Sequence, residues 1–382
     1  MNILYILNSD YGVRNTIGVR TKPIVDEIIK RKYNHYIICR GYYKKLNNNY
    51  NLKQVFPFSD KIMKVLTAIP IFIYRNFPAG DIKNYIFEYF TIKKIKNINL
   101  EKYNIIHSWE LLPKLYRLIK EKNSKIKIIQ DVPLAFSGVL NERERIYLWE
   151  KKNIQMSNCI KESLSYIDYF IVPSDFVKKS LIKEGVDRDK IFVVPFGVDT
   201  EKFKPVEKDY FETFKVAFSG NVNLRKGIPF LINAWKDLKL EDAELNIYGI
   251  VYPEVKKYLT DGEKYNIKVH GFLRDIDREL PKNYIYVFPS LLEGSAKSTY
   301  EAMACGLPVI TTENSGSIVE DGKEGFIIPT LDVESIKEKI LFFYENREEI
   351  KRFGERSRKK VERYTWQHYG ENIVNIYEVI GG

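Results

Sequence analysis

Two glutamates eight positions apart, Glu293 and Glu301, bracket a glycine-bearing loop in the run PSLLEGSAKSTYEAMACGLPVITTENSG, residues 289–316. An ionised carboxylate only accepts hydrogen bonds and can take two hydroxyl donors at once, which suits work on sugars. The run reads as the end of a buried strand, a loop of small residues (Gly294, Ser295, Ala296) and a helix entered through Lys297 and Ser298. A second strand follows Gly306-Leu307-Pro308. In that geometry the first helix amides face whatever lies over the sheet, and the dipole behind them favours phosphate or carboxylate. Small loop residues let a ligand approach the backbone closely. A plainer reading competes: Ser298-Thr299-Tyr300-Glu301 is also a capping box, in which Glu301 would only return to the N-cap amide. A nucleotide phosphate loop is excluded, because Leu291 and Ala296 stand where that motif needs glycine.

A second stretch, FKVAFSGNVNLRKGIPFLINAWKDL, carries the cations. Phe214–Ser219 reads as a strand, Gly220–Gly227 as a loop, and Pro229 fits the first turn of a helix. Arg225 and Lys226 therefore project from a loop at a helix start. Two fixed cations beside exposed amides make a site for a pyrophosphate. The plainer reading is a solvated basic turn.

A glutamate, seven residues and a second glutamate, running into EAMACGLPVI after a PS-terminated strand, resemble the donor-site signature of glycosyltransferase family 4. Those are retaining enzymes of the two-domain GT-B fold that use sugar nucleotides. The resemblance covers residues 165–382 closely and residues 1–160 in outline. It implies that Glu293 contacts donor-sugar hydroxyls and Glu301 the ribose, and that Lys226 holds the diphosphate. It also implies base contacts through backbone around Phe272 and Leu273, and a first loop whose Gly12 faces donor phosphate or acceptor. Two departures stand out. The arginine usual after the strand's Gly220 is replaced by Asn221, which passes that role to Arg225. The histidine usual at the end of the strand Lys125–Asp131 is replaced by Gln130-Asp131. Either Asp131 takes that place, or the reaction runs without a side chain there, or the activity is altered. His107 ends the preceding strand and could face the cleft; its plainer reading is a packed, hydrogen-bonded histidine.

Strands and helices alternate along both halves, which implies two Rossmann-like parallel sheets covered by helices, ligands lying at the carboxyl ends of the strands. The expected division is an acceptor-binding domain over 1–196 and a nucleotide-sugar domain over 197–364. A C-terminal helix over 365–382 then packs back on the first domain. The first half offers Thr21–Lys32 as a helix, Tyr36–Cys39 as a strand, 43–60 as a loop and 61–97 as helical. In that last stretch aromatics interleave with lysines, as on a membrane interface or, more plainly, on a helix with one packed and one solvated face. The spacing around Gly12 and Gly18 is not that of a dinucleotide fingerprint, which argues against hydride transfer.

The chain has 382 residues, 45% hydrophobic and 29% charged, the balance of a globular protein with two or three cores. Net charge is +11, and residues 1–150 hold 26 Lys and Arg against 13 Asp and Glu, so the whole excess lies there. Such asymmetry points to an anionic surface or substrate, or to compositional bias. No signal peptide or membrane span is expected. Cys39, Cys159 and Cys305 are scattered, as befits a cytoplasmic protein. No Asp-rich or His cluster has ligand spacing, so neither a metal nor another cofactor is expected, nor a nucleic-acid partner. The resulting expectation is metal-independent, retaining transfer from a nucleotide sugar to a hydroxyl of a glycan or lipid-linked acceptor. The first domain would make peripheral membrane contact. The rivals are an isomerase on the same fold and a non-catalytic nucleotide- or glycan-binding protein.

Overall fold

The structure is a computed structural model and describes residues 1–11, 16–42, 51–54, 79–149, 162–209 and 212–381. Gly12, Cys159 and most of 43–78 lie outside the described residues.

Short apolar runs form two all-parallel sheets, and the inner strands β4 (Ile105–Ser108), β11 (Ile285–Phe288) and β12 (Val309–Thr312) are buried along their whole length, as expected where helices cover both faces. The first holds β1 (Asn2–Tyr11), β2 (Asn34–Tyr42), β3 (Leu52–Gln54), β4 (Ile105–Ser108), β5 (Lys127–Asp131), β6 (Tyr169–Val172) and β7 (Ile191–Val193). The second holds β8 (Phe214–Ser219), β9 (Ala243–Tyr248), β10 (Ile267–Gly271), β11 (Ile285–Phe288), β12 (Val309–Thr312) and β13 (Gly325–Ile328). Their orders are β3-β2-β1-β4-β5-β6-β7 and β10-β9-β8-β11-β12-β13, two copies of one doubly wound plan. This is the GT-B architecture.

The chain crosses between the sheets twice, side by side. Val198 pairs with Thr365, and the Val198 amide donates to the Tyr364 carbonyl at 2.9 Å. The helix Trp366–Gly381 then packs on the helix Thr16–Lys30, where Gly370 lies against the Pro23 carbonyl. Glu378 accepts from Arg31 at 2.8 Å and from the Tyr33 hydroxyl at 2.7 Å.

Several boundaries differ from expectation. The first helix begins at Thr16 and runs through Pro23, because packing under the last helix outweighs the local cost of proline. It ends where Lys32 turns left-handed at φ 59°. Val333–Glu345 and Arg347–Val361 form two helices parted at Asn346, in keeping with a helical stretch there. The expected loop 43–60 contains the edge strand β3. Helix Ala79–Ile95 turns Phe87, Thr91 and Ile95 inward and leaves Tyr85 58% and Tyr89 49% exposed. Lys114 lies 4.7 Å from the Tyr85 ring and Lys93 4.5 Å from that of Tyr89. Among the described residues, no helix is long and apolar enough to cross a membrane.

Candidate active site

Arg225 and Lys226 lie in a single helical turn after β8, and Asn223 caps that turn by accepting from the Lys226 amide at 3.1 Å. Gly227 closes the turn at φ 70°, where a Cβ would stand 2.0 Å from the Pro289 carbonyl oxygen. Only glycine fits there. The turn is therefore locked onto the strand end that starts the acidic loop: the Leu291 amide and the Ser290 hydroxyl both donate to the Arg225 carbonyl, at 2.8 and 3.1 Å.

That lacing brings the charges together. Glu293 Oε1 accepts from Arg225 Nη1 at 2.7 Å, from Lys226 Nζ, and from the Ser290 hydroxyl at 3.1 Å. Burial pulls the Lys226 ammonium below its ordinary range while Glu293 pulls the other way. Two cations thus converge on one carboxylate oxygen at the carboxyl end of the sheet.

The helix Lys297–Ala304 starts at Ala296, which makes no side-chain cap. The capping box is therefore not formed: Ser298 lies inside the first turn, and Glu301 makes no side-chain hydrogen bond among the described residues. Burial raises the Glu301 carboxyl pKa, against the pull of Lys297 and Lys202. No described group accepts from the Lys297 and Ser298 amides, so both keep their donors for a ligand. Ser295 is tied inside the loop, to the Tyr300 hydroxyl at 2.8 Å and the Gly316 carbonyl at 2.9 Å, and with Ala296 it is buried. Gly220 and the exposed Asn221 form the rim beside β8. Phe272 (69% exposed) and Leu273 follow β10 on the same rim.

The acidic loop also touches the first domain. A Cβ on Gly294 would stand 1.7 Å from the Pro133 carbonyl oxygen. Leu292 is buried in the first domain's core cluster, and the Ser174 hydroxyl donates to the Gly294 carbonyl. Glu144 reaches across to accept from Asn314 at 2.8 Å and from Thr330.

Asp131 requires a correction. Its side chain is 0% exposed and ion-paired with Arg20, whose guanidinium lies between Trp109 (4.4 Å) and Phe196 (4.5 Å). A buried cation held by two aromatic faces captures the nearest carboxylate, so Asp131 does not face the cleft as a catalytic group would. His107 is packed and hydrogen-bonded, in keeping with its plainer reading. Its Nδ1 lies 2.5 Å from the Tyr377 hydroxyl, and its ring stacks on Trp109. Burial and Arg20 depress its pKa to about 3.

A carboxylate that the sequence reading passed over stands on the same rim. Glu110, two residues past β4, is half-buried, and among the described residues no group donates a hydrogen bond to its carboxylate. A lone acid in the run HSWELLP has no spacing signature; only the strand register exposes it.

The family description "Glycosyltransferase Family 4" matches residues 17–202, and "Glycosyl transferases group 1" matches residues 199–360. A probable sucrose-phosphate synthase of Thermosipho melanesiensis is 32% identical over 208 residues, 50% of this chain and 48% of that protein. The amylovoran biosynthesis glycosyltransferase AmsK of Erwinia amylovora is 28% identical over 267 residues, 65% of this chain and 64% of its own. The match thus spans about half to two thirds of these relatives. Among solved structures, the sucrose-phosphate synthase of Thermosynechococcus elongatus superposes with a TM-score of 0.72 at 14% identity, covering 100% of this chain and 99% of that one. Anabaena Alr3699/HepE in complex with UDP gives 0.71 at 14% identity, covering 99% and 100%. The two family matches follow one another along the chain, and the fold agrees from end to end. The protein belongs to glycosyltransferase family 4, the group 1 glycosyltransferases.

Proposed function

We propose that this glycosyltransferase moves a sugar from a nucleoside diphosphate sugar to a hydroxyl acceptor with retention at the anomeric carbon. The observation that carries this reading is the convergence of Arg225 and Lys226 on the Glu293 carboxylate, beside the unused amides of Lys297 and Ser298. The difficult event is departure of the diphosphate, as charge builds on its oxygens. Donors already aimed at that charge lower the barrier most. In this reading the diphosphate takes the cations from Glu293, whose released carboxylate accepts hydroxyls of the sugar. Glu301 accepts the ribose hydroxyls, and base contacts run through backbone near Phe272 and Leu273. Two protein cations, rather than a metal, balance the leaving group. UDP-sugars are the first donors to test, because Alr3699/HepE is solved with UDP and with UDP-glucose. The acceptor is a glycan or a lipid-linked glycan met on the cytoplasmic side, where the buried Cys39 and Cys305 would stay reduced. Exposed Tyr85 and Tyr89 with their lysines support contact with an anionic membrane surface.

The test is a panel of nucleoside diphosphate hexoses with candidate acceptors, with and without EDTA. Nucleoside diphosphate release, an unchanged anomeric configuration by NMR and indifference to EDTA are expected. Epimerised donor without acceptor would indicate the isomerase, and binding without turnover would indicate a non-catalytic protein.

A further inference from the structure

The first sheet ends on the cleft in a row of strand termini whose register is fixed. Ser108 of β4 lies opposite Gln130 of β5, and the chain bends at Trp109 and Glu110, so Glu110 caps the carboxyl end of β4 beside β1, where the strand order reverses. Past β5, Pro133 presses its carbonyl against Gly294 of the acidic loop. Glu110 therefore lies at the carboxyl edge of the first sheet, the same edge from which Pro133 meets the acidic loop.

Its backbone is pinned. The Tyr116 and Ser108 hydroxyls both donate to the Glu110 carbonyl, the latter at 2.8 Å. Tyr116 is buried and is 2.7 Å from Gln130 Oε1, which ties the turn to β5. The carboxylate is half-buried and receives no hydrogen bond from any described group. Arg40, near the end of β2, is the cation acting on it, and Tyr116 is the other titratable group facing it. A rigidly mounted carboxylate that receives no hydrogen bond from a described group, at the carboxyl end of a strand beside the point where the strand order reverses, matches what hydroxyl recognition needs.

We infer that Glu110 binds a hydroxyl of the incoming acceptor, with Arg40 flanking it, and so sets acceptor specificity on the first domain's side of the cleft. This rests on the transferase reading above. Asp131, the other carboxylate at these strand ends, is fully buried and ion-paired with Arg20, so it is not open to a ligand in the same way. Burial raises the Glu110 carboxyl to about 7, so the accepting, ionised form grows in as pH rises through neutrality.

The test uses the full chain, the nucleoside diphosphate hexose selected above, and p-nitrophenyl α- and β-hexosides as acceptors, with Glu110→Gln beside wild type. Donor hydrolysis by water should stay within about twofold. Transfer to the best hexoside should fall about 10- to 100-fold in kcat/KM, carried by KM, as for loss of a charged hydrogen bond. The wild-type acceptor KM should also drop as pH passes upward through about 7 and be flat in the variant. An unchanged acceptor KM in Glu110→Gln, or a wild-type enzyme that transfers to none of the hexosides, would overturn the assignment. Wild-type protein that binds no nucleoside diphosphate would overturn the donor-site reading as well.

Discussion

The two rims of the cleft use the same residue types to opposite ends. In the first domain Arg20 and Asp131 pair out of contact with water, clasped by Trp109, Phe196 and the helix that crosses back. In the second, Arg225 and Lys226 meet Glu293 in a loop where Arg225 is 35% exposed along its side chain and helix amides are open. Burial decides the difference. A pair sealed at a strand end can only hold structure, because releasing either ion would leave its partner charged in a dry interior. Lys226 and Glu293 are themselves only 12% and 11% exposed, but Arg225 opens the second cluster to solvent, so a ligand's phosphate can replace the carboxylate without leaving the cations unpaired.

The comparison breaks most visibly at Asp131. Asp131→Ala should cost about 3–5 kcal/mol in chemical denaturation, because Arg20 is left charged and alone. Nucleotide affinity of the folded fraction should stay unchanged. If Asp131 worked on substrate instead, stability would hold and turnover would fall. The opposite pattern is expected at Lys226→Ala: little change in stability and a loss of about 10² to 10³ in turnover, comparable to losing one oxyanion donor.

Glu110 sharpens the contrast through pH. Its folded pKa of about 7 lies above the ordinary carboxylate value, so the folded state holds an extra proton between about pH 4.5 and 7 and stability falls as pH rises through that window. Glu110→Gln should therefore be more stable than wild type by about 1–3 kcal/mol at pH 8 and equal to it near pH 4. Equal stability at both pH values would mean that the carboxyl is not held in a dehydrated setting. The smallest effect should be at the bridge between domains. Glu144→Gln weakens its bonds to Asn314 and Thr330 and should cost about 1 kcal/mol.

The second rim was legible in the sequence and the first was not, for a physical reason. The grip of Arg225, Lys226, Glu293 and the helix amides is assembled from two short loops, each anchored by its own strand and by glycines or prolines that show in the sequence. Asp131 reads as a cleft residue until Arg20, 111 positions earlier, is seen to take it. Glu110 reads as nothing until β4 is set against β5. The same logic separates the helices: the first was expected only from Thr21, and the packing of Gly370 on the Pro23 carbonyl accounts for its running from Thr16 through the proline. Local signals announce loops that make their own contacts; partnerships across the sheet stay silent.

The account stands on a diphosphate displacing Glu293 from its two cations. Calorimetric titration of UDP and of inorganic pyrophosphate into wild type, Lys226→Ala and Glu301→Ala tests this directly. Lys226→Ala should weaken both ligands at least tenfold, whereas Glu301→Ala should weaken UDP and leave pyrophosphate untouched. Affinities for both ligands that survive both substitutions would contradict it.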